Sequence, residues 1–568
     1  MAAPAPALRL VRSDGVKLRQ LVAPRYPQDH YLGMTVAAGP AVPQAPRRLA
    51  GALGAGIGIF LSRIAGLVRE RVFAHYLGTG AAADAYKAAV RIPNLLQNLL
   101  GEGVLSASFI PVYSRLLGEG RTADANVMAR TIATLLVLLA SVVALLGVLA
   151  AEPLVSVLAA GFSGETRALT VHLVQVLFPG VALLVVSAWC LGVLNSHRRF
   201  FLAYAAPVIW NVALIATCIV AGRRFIGGDG SDIVIWIAWG AALGSLLQLL
   251  VQLPSVWPLV RSFKPALATK DPNVQRAVRA FGPVLLGRGS VQISAYIDGI
   301  LASYLGGGIV SAMSVANTLY VLPISLFGMA ISAAELPAMS SIGGDHAAAS
   351  AALRDRLNSS LRRVVFLVVP SAVAFIAIGP WIVGLLFQTG EFKWESTRMV
   401  WIILAGTAVG LTANTQGRLL ASALYALGDT KSPLWAALTR MLITFVAGWA
   451  LVFPIREATG YASVWGAFGL TASAGVAAWV EFEILRRQLT KRIDHVPIPY
   501  RLVVVTTLVA VLAGGAAFGL GRWLLQAQLH LSLAALLTIG LYGAIYLGGC
   551  VLLKIPETRG VLRRLRRK

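Results

Sequence analysis

Residues 131–150 read Thr-Ile-Ala-Thr-Leu-Leu-Val-Leu-Leu-Ala-Ser-Val-Val-Ala-Leu-Leu-Gly-Val-Leu-Ala, a run without one ionisable side chain. A helix rises about 1.5 Å per residue, so such a run crosses the roughly 30 Å hydrocarbon core of a bilayer. Reading outward in both directions gives fourteen candidate spans between residues 48 and 553. They include 48–70, 81–113, 128–150, 278–305, 309–339, 399–425, 433–453, 461–485, 502–524 and 532–553. The runs are rich in Leu, Ala, Val and Gly and lack a period of two, which excludes a β-barrel. The second span, 81–113, is the least regular, interrupted by polar residues, Pro93 and Gly101-Glu102-Gly103.

The composition agrees. Of 568 residues, 57% are apolar and 13% charged, where soluble chains carry about 25% charged residues. Mean hydropathy is +0.75. A soluble enzyme, a disordered protein and a coiled coil are excluded, leaving an all-α polytopic membrane protein. The net charge of +25 reflects loops that set orientation rather than nucleic-acid binding. One set of alternate loops carries Arg115, Arg121, Arg198, Arg199, Arg261, Lys264, Lys270, Arg276, Arg354, Arg356, Arg362, Lys431, Arg486, Arg487, Lys491, Arg492 and Arg501. The opposite set has only Arg167, Arg223, Arg224, Lys393, Arg398 and Arg456. The positive-inside bias puts the first set in the cytoplasm, with both termini on the same side.

Residues 1–46 read as a disordered basic extension without a signal peptide, the natural start falling at Met1 or Met34. Cys190, Cys218 and Cys550 lie far apart in apolar runs and read as packing residues, not as a disulfide or zinc site.

The two halves of the chain resemble each other at an offset of about 226–230 residues. Ile92-Pro93 matches Leu322-Pro323, the string 107–114 matches 333–340, Pro153-Leu154-Val155 matches Pro380-Trp381-Ile382, and Leu194-Asn195 matches Leu424-Tyr425. Each half holds an even number of spans, so the repeats are parallel. Parallel repeats facing a central cavity are a transporter architecture. The expected divisions are an N-lobe at 47–260, a C-lobe at 261–486, two further helices in 487–555 and a basic tail at 556–568.

Ionisable groups inside spans are the informative residues, because a charge at mid-bilayer needs a partner or a wet cavity. The first half has Arg63, Arg69, Asp84, Lys87, Arg91 and Glu102; the second has Arg288, Asp298, Glu335 and Arg418. Basic residues outnumber acidic ones, which favours an anionic substrate. Arginine suits phosphate through its planar fork. Blander readings stand beside these: Arg69 and Arg91 snorkel to an interface, and Asp84 pairs with Lys87 or caps span 2. No GxxxxGK[ST], HExxH or GxSxG motif is present, and the seven histidines are scattered. Glycines 51, 54, 56 and 58 fit close helix packing better than a nucleotide loop.

The block 62–70, then Gly78, Asp84-Ala85-Tyr86, Arg91-Ile92-Pro93-Asn94-Leu95-Leu96, Gly101-Glu102-Gly103 and 106–114, resembles the MurJ/MviN lipid II flippases. So do Phe281-Gly282-Pro283, Gln292-Ile293-Ser294, the string 386–392, and Tyr425 with 428–433. The resemblance covers residues 48 to about 555. It implies a MOP exporter fold: two six-helix lobes around a central cavity, plus two C-terminal helices grooved for an undecaprenyl tail. The implied function moves lipid-linked peptidoglycan precursor from the inner to the outer leaflet of the bacterial cytoplasmic membrane. The implied substrate-binding set is Arg63, Arg69, Asp84, Arg91, Asn94, Gln97, Glu102, Arg288 and Arg418. Two arginines of the family pattern fall on Gln97 and Thr318, and Arg288 is expected to supply the missing charge. A sodium site described in some members falls on Asp298, with its span 11 partners on Thr444 and Gly448; Asp298 is thus the candidate cation or proton site.

No cofactor is expected, and energy would come from membrane potential or an ion gradient. Expected partners are lipid II, the membrane and cell-wall synthesis enzymes. Alternatives are a flippase for another polyprenyl-linked glycan, a drug or cation antiporter, and a non-transporting cell-wall scaffold.

Overall fold

A computed structural model describes residues 45–260, 265–329, 339, 346–460, 462–493, 495–496 and 498–558. Side chains at 45–56, 102, 103, 107, 283–295, 328–329 and 346–349 are outside the described set. The expected N-terminal extension (but for Ala45 and Pro46), Glu335 and the tail beyond residue 558 also lie outside the described residues. The described residues from 50 onward form one compact unit.

The described chain is helical, without a strand. In order, the first half has α1 (Ala45–Leu77), α2 (Ala81–Leu100), α3 (Glu102–Gly118), α4 (Thr122–Leu149), α5 (Ala151–Leu158), α6 (Gly164–Ser196), α7 (Phe200–Arg224) and α8 (Ser231–Val260). The second half has α9 (Pro272–Ser303), α10 (Ile309–Pro323) continued by a π-turn at Ile324–Met329, α11 (His346–Ala377), α12 (Gly379–Phe387), α13 (Trp394–Ala426), α14 (Lys431–Val452), α15 (Pro454–Thr459) and α16 (Ser463–Ile493). Helices α17 (Tyr500–Gln526) and α18 (Leu531–Leu552) follow.

Among the described residues, twelve helical segments are long and apolar enough to span a bilayer. The expected count of fourteen is not confirmed: candidate spans 1 and 7 fold as helices of 33 and 32 residues, α1 and α9, outside that set. Candidate span 2 is two helices rather than one. Of the expected interruptions, Pro93 does not break it, since α2 runs through the proline, while Gly101-Glu102-Gly103 does, the chain breaking at Gly101. Proline is tolerated in membrane helices when neighbours restrain the freed backbone groups. Gly101 sits where a Cβ would collide with the Gln97 carbonyl, to which its own N–H donates at 2.8 Å.

The repeat is visible in the order of elements. A short helix follows the third span in each half, starting at Ala151 and again at Gly379. Similarly α2 starts at Ala81 and α10 at Ile309, the same offset of 228 residues. Helix α6 is the buried centre of the first half: 78% of its most apolar window is enclosed, against 22% for α4, which faces outward. Helices α13 and α16 pack along each other at the centre of the second half, while α17 and α18 pack on α11 and α12. Helix α9 crosses between the halves. Its start packs on α3, and Val274 and Ala277 are buried in the same cluster as Leu105, Phe109 and Leu116.

The three cysteines are free and buried, as packing residues should be. Gly58 lies against Tyr204 of α7, where a Cβ would come within 2.9 Å of the tyrosine Cβ, the close helix approach expected of the α1 glycines.

Candidate functional site

Arg69 is held on three sides. Its Nη2 donates to Glu70 Oε1 at 2.7 Å and its Nη1 to Asn211 Oδ1 at 3.0 Å, while the guanidinium carbon stands 5.1 Å from the Trp210 ring centroid. The second oxygen of Glu70 accepts from Lys87 Nζ at 2.6 Å, and that ammonium also lies 4.3 Å from the Phe73 ring centroid. Glu70 and Lys87 are buried. Unpaired, either charge would be strongly destabilising; paired and hydrogen-bonded, they hold. A cavity of about 90 Å³ opens beside this group, lined by Arg69, Glu70, Lys87, Asn94 and Trp210 among others. Arg69 therefore does not snorkel to an interface.

Lys87 does not pair with Asp84, and Asp84 does not cap span 2. Its carboxylate crosses to the other half of the chain and caps α10: Oδ1 accepts from Ser311 N at 2.7 Å and Oδ2 from Gly308 N at 3.0 Å. A carboxylate suits the partial positive charge of a helix N-terminus. Gly308 has φ +83, a conformation that glycine adopts without strain. With both oxygens engaged and 2% exposure, Asp84 acts between the halves rather than in open volume.

A ring of polar contacts surrounds that cap. Thr79 Oγ1 meets Ser396 Oγ at 2.7 Å, His75 Nδ1 meets Thr389 Oγ1 at 2.9 Å, and Glu391 N donates to His75 O at 2.8 Å. Arg71 Nη1 donates to the carbonyls of Leu385 and Leu386 at 2.9 and 3.0 Å, and Gly161 N donates to Ser303 Oγ at 2.9 Å. Every one of these joins the first half to the second. They close the end of the bundle opposite the basic loops.

Deeper in, Arg91 packs over the bare Cα of Gly299, a place any Cβ would occupy, and its carbonyl accepts from Tyr296 OH at 2.6 Å. Asp298, next in sequence to Gly299, has Arg91 and Arg440 as its charged neighbours. Its buried Oδ1 has no hydrogen-bond partner among the described residues. Arg440 of α14 donates from Nη1 to Asn414 Oδ1 and to Glu481 Oε2 at 3.0 Å, and Asn414 Nδ2 reaches Tyr320 OH. A polar network thus links α10, α13, α14 and α16.

The expected site residues fall into groups. Arg69 and Asn94 share the cavity; Arg91 packs on Gly299, next in sequence to Asp298, without an ion pair to Asp298 among the described residues; Asp84 belongs to the closed end. Arg63 and Arg418 are exposed and make no side-chain hydrogen bond or ion pair among the described residues. Gln97 is half-buried, and Thr318 donates to Ser314 O at 3.0 Å. Glu102 and Arg288 lie on α3 and α9, with side chains outside the described set. Arg288 is central in the 32-residue α9. Thr444 and Gly448 are buried on α14, Gly448 against Leu301 and Leu470, and bring no charge to Asp298. Arg440, one turn before Thr444, is the α14 residue whose charge reaches Asp298. Among the described residues no group of three or more His, Cys, Asp and Glu could hold a metal. Glu70, Asn211, Trp210, Asn414, Arg440 and Glu481 are absent from the sequence-based set. The ionisable-in-a-span rule signals Glu70, Arg440 and Glu481; nothing local marks the other three.

A membrane protein whose described residues fold as two parallel helical repeats, bonded together at one end and with Arg91 of the first packed on Gly299 of the second, has the architecture of a two-lobed transporter. The sequence profile of the lipid II flippase MurJ family matches residues 73–539, and the chain belongs to that family. The chain is 31% identical to a lipid II flippase MurJ of Burkholderia cenocepacia, over 80% of this chain and 86% of that one. It is 27% identical to a probable lipid II flippase MurJ of Thermotoga maritima, over 89% and 97% of the two chains. The fold matches a solved lipid II flippase MurJ in an inward closed conformation, with TM-score 0.72 and 22% identity over 88% of this chain and 98% of that one. It also matches an inward-facing multidrug resistance MATE family transporter of the MOP superfamily, with TM-score 0.60 and 18% identity over 78% and 99%.

Proposed function

We propose that this protein is a lipid II flippase, a transporter rather than a catalyst, moving undecaprenyl-pyrophosphate-linked peptidoglycan precursor to the outer leaflet of the bacterial cytoplasmic membrane. The observation that carries the reading is Arg69, fixed beside a cavity in a chain of the MurJ family. A pyrophosphate-sugar headgroup cannot enter hydrocarbon unaided, and a guanidinium with free N–H donors offers the bidentate contact that phosphate takes. Arg63, Arg69, Arg91, Arg288 and Arg418 receive the headgroup, Arg288 standing in for the charge missing at Gln97 and Thr318. The α17–α18 pair accepts the polyprenyl tail. The basic loops and both termini face the cytoplasm, where cell-wall synthesis enzymes deliver the substrate. Membrane potential or an ion gradient drives the cycle, in which the polar ring at the far end opens as the other end closes.

The test is translocation of labelled lipid II in vesicles, with and without a membrane potential, together with rescue of cells depleted of their own lipid II flippase. Transport and rescue are expected. Correctly inserted protein that does neither would overturn the reading.

A further inference from the structure

Glu70 has two carboxylate oxygens and two cationic partners. Oε1 takes Arg69 Nη2 at 2.7 Å and Oε2 takes Lys87 Nζ at 2.6 Å. Left alone with a guanidinium, a carboxylate accepts both prongs of the fork. Here the second oxygen is turned to Lys87, and Arg69 makes a single contact with Glu70 and sends Nη1 to Asn211. Of the five N–H donors of a guanidinium, these contacts leave several free, and the side chain, 25% exposed, borders the cavity. The three charges together also leave the group with a net positive charge, where a plain Arg–Glu pair would leave none.

We propose that Lys87 is a positioning residue for phosphate recognition: by occupying one oxygen of Glu70 it keeps Arg69 from being captured in a bidentate pair and leaves it free to bind an anionic phosphate in the cavity. The inference deepens the flippase reading and rests on it. Lys87 itself is 8% exposed and touches Glu70 and Phe73, so it acts through Glu70 rather than on the substrate. Losing Lys87 should let Glu70 close on Arg69. Removing the carboxylate as well should release Arg69 again, which a purely structural role for Lys87 does not predict.

The experiment measures lipid II binding by the full-length protein in detergent, with inorganic pyrophosphate as competitor and a melting curve for each variant. Lys87→Met should weaken lipid II binding and pyrophosphate competition by about tenfold or more, the equivalent of one good charged contact. Lys87→Arg should retain binding. Glu70→Gln/Lys87→Met, which keeps the net charge of the wild type, should recover most of the affinity lost in Lys87→Met. Glu70→Gln alone should bind at least as tightly as wild type, and keeps the test decisive if Lys87→Met does not fold. The inference is overturned by a folded Lys87→Met that binds like wild type, by a folded double variant no better than the single one, or by weaker binding in folded Glu70→Gln. Wild-type protein that binds no lipid II overturns the flippase reading and takes this inference with it; wild-type binding with any of those three results overturns the role of Lys87 alone.

Discussion

Asp84 on α2 accepts the backbone N–H of Ser311 on α10 at 2.7 Å, across 227 residues of sequence. The two helices begin equivalent spans of the repeat, so the bond fastens one half to its counterpart near their matching ends. A contact that must break for that end to open stabilises the closed state. Asp84→Asn keeps one acceptor and loses the charge, which removes roughly 2 kcal/mol, given about 1.5–3 kcal/mol for a hydrogen bond to a charged group. That is a shift of about 30-fold toward the open state. A disulfide between Thr79→Cys and Ser396→Cys, placed where the native hydroxyls meet at 2.7 Å, reports the closed state. Its yield should fall sharply in the Asp84→Asn background. The native cysteines are buried and will not interfere. An unchanged yield would show that the cap does not hold this end shut.

Gly299 predicts a second coupling. The Arg91 guanidinium occupies the space of a side chain at that position, so Gly299→Ala forces either helix or arginine to move. Overpacking of this kind costs about 1–3 kcal/mol. Gly299→Ala should lower the melting temperature, and the loss should shrink when Arg91→Ala removes the obstructing group, because residues in contact are not additive. Equal losses in both backgrounds would place the clash elsewhere.

The helices were legible because uninterrupted apolar runs of bilayer length have few alternatives. The partners of the buried charges were not. Lys87 lies three residues after Asp84, a spacing that suits an ion pair on one helix, yet it meets Glu70, 17 residues away on α1. Local spacing could not show that α10 would present its bare N–H groups to Asp84 and leave Lys87 to another acid. Of the two interruptions read in span 2, Pro93 does not break the helix although proline removes a helix hydrogen bond, and Gly101 does, the backbone leaving the helical region there with φ −88 and ψ −142. Glu70, Arg440 and Glu481 are ionisable residues within helices and were open to the same reasoning as Arg418. Asn211 and Trp210 carry no such mark, since an amide and an indole are ordinary in a membrane helix.

The loop between α13 and α14 gives a pH prediction outside the membrane. Asp429 Oδ1 accepts the N–H of Lys431 and Ser432 at 3.1 and 3.0 Å, and Oδ2 accepts Ser432 Oγ at 2.7 Å and Arg492 Nη2 at 2.9 Å. The hydrogen bonds from Ser432, followed by Arg492 and Lys431, hold its carboxyl below the usual carboxylate range. A carboxyl with a depressed folded-state value adds stability above its unfolded value near 3.9, and that contribution is lost as the pH falls through the folded value. Asp429→Ala should therefore melt below wild type at pH 7, and the gap should close as the pH drops below about 4. A gap that persists in acid would assign the effect to packing instead of charge.

The network around Arg440 predicts how the protein responds to sodium. Arg440 Nη1 already donates to Asn414 Oδ1 and Glu481 Oε2, and its positive charge reaches Asp298. A dissolved cation seeking those oxygens would have to displace one that is covalently tethered. Transport of lipid II should accordingly proceed at the same rate in sodium and in potassium media. Removing the tethered charge has two consequences. Arg440→Gln leaves Glu481, with a side chain 20% exposed, without its cationic partner, and breaking a buried pair in this way costs about 3–5 kcal/mol, less here because water reaches both partners. The melting temperature should fall by several degrees. The vacated oxygens, with Asp298 nearby, then become available to a free cation, so sodium should stabilise Arg440→Gln in a melting titration while leaving wild type unmoved. Sodium-dependent transport by the wild type, or no sodium response in a folded Arg440→Gln, would show that Arg440 does not occupy the place of a cation.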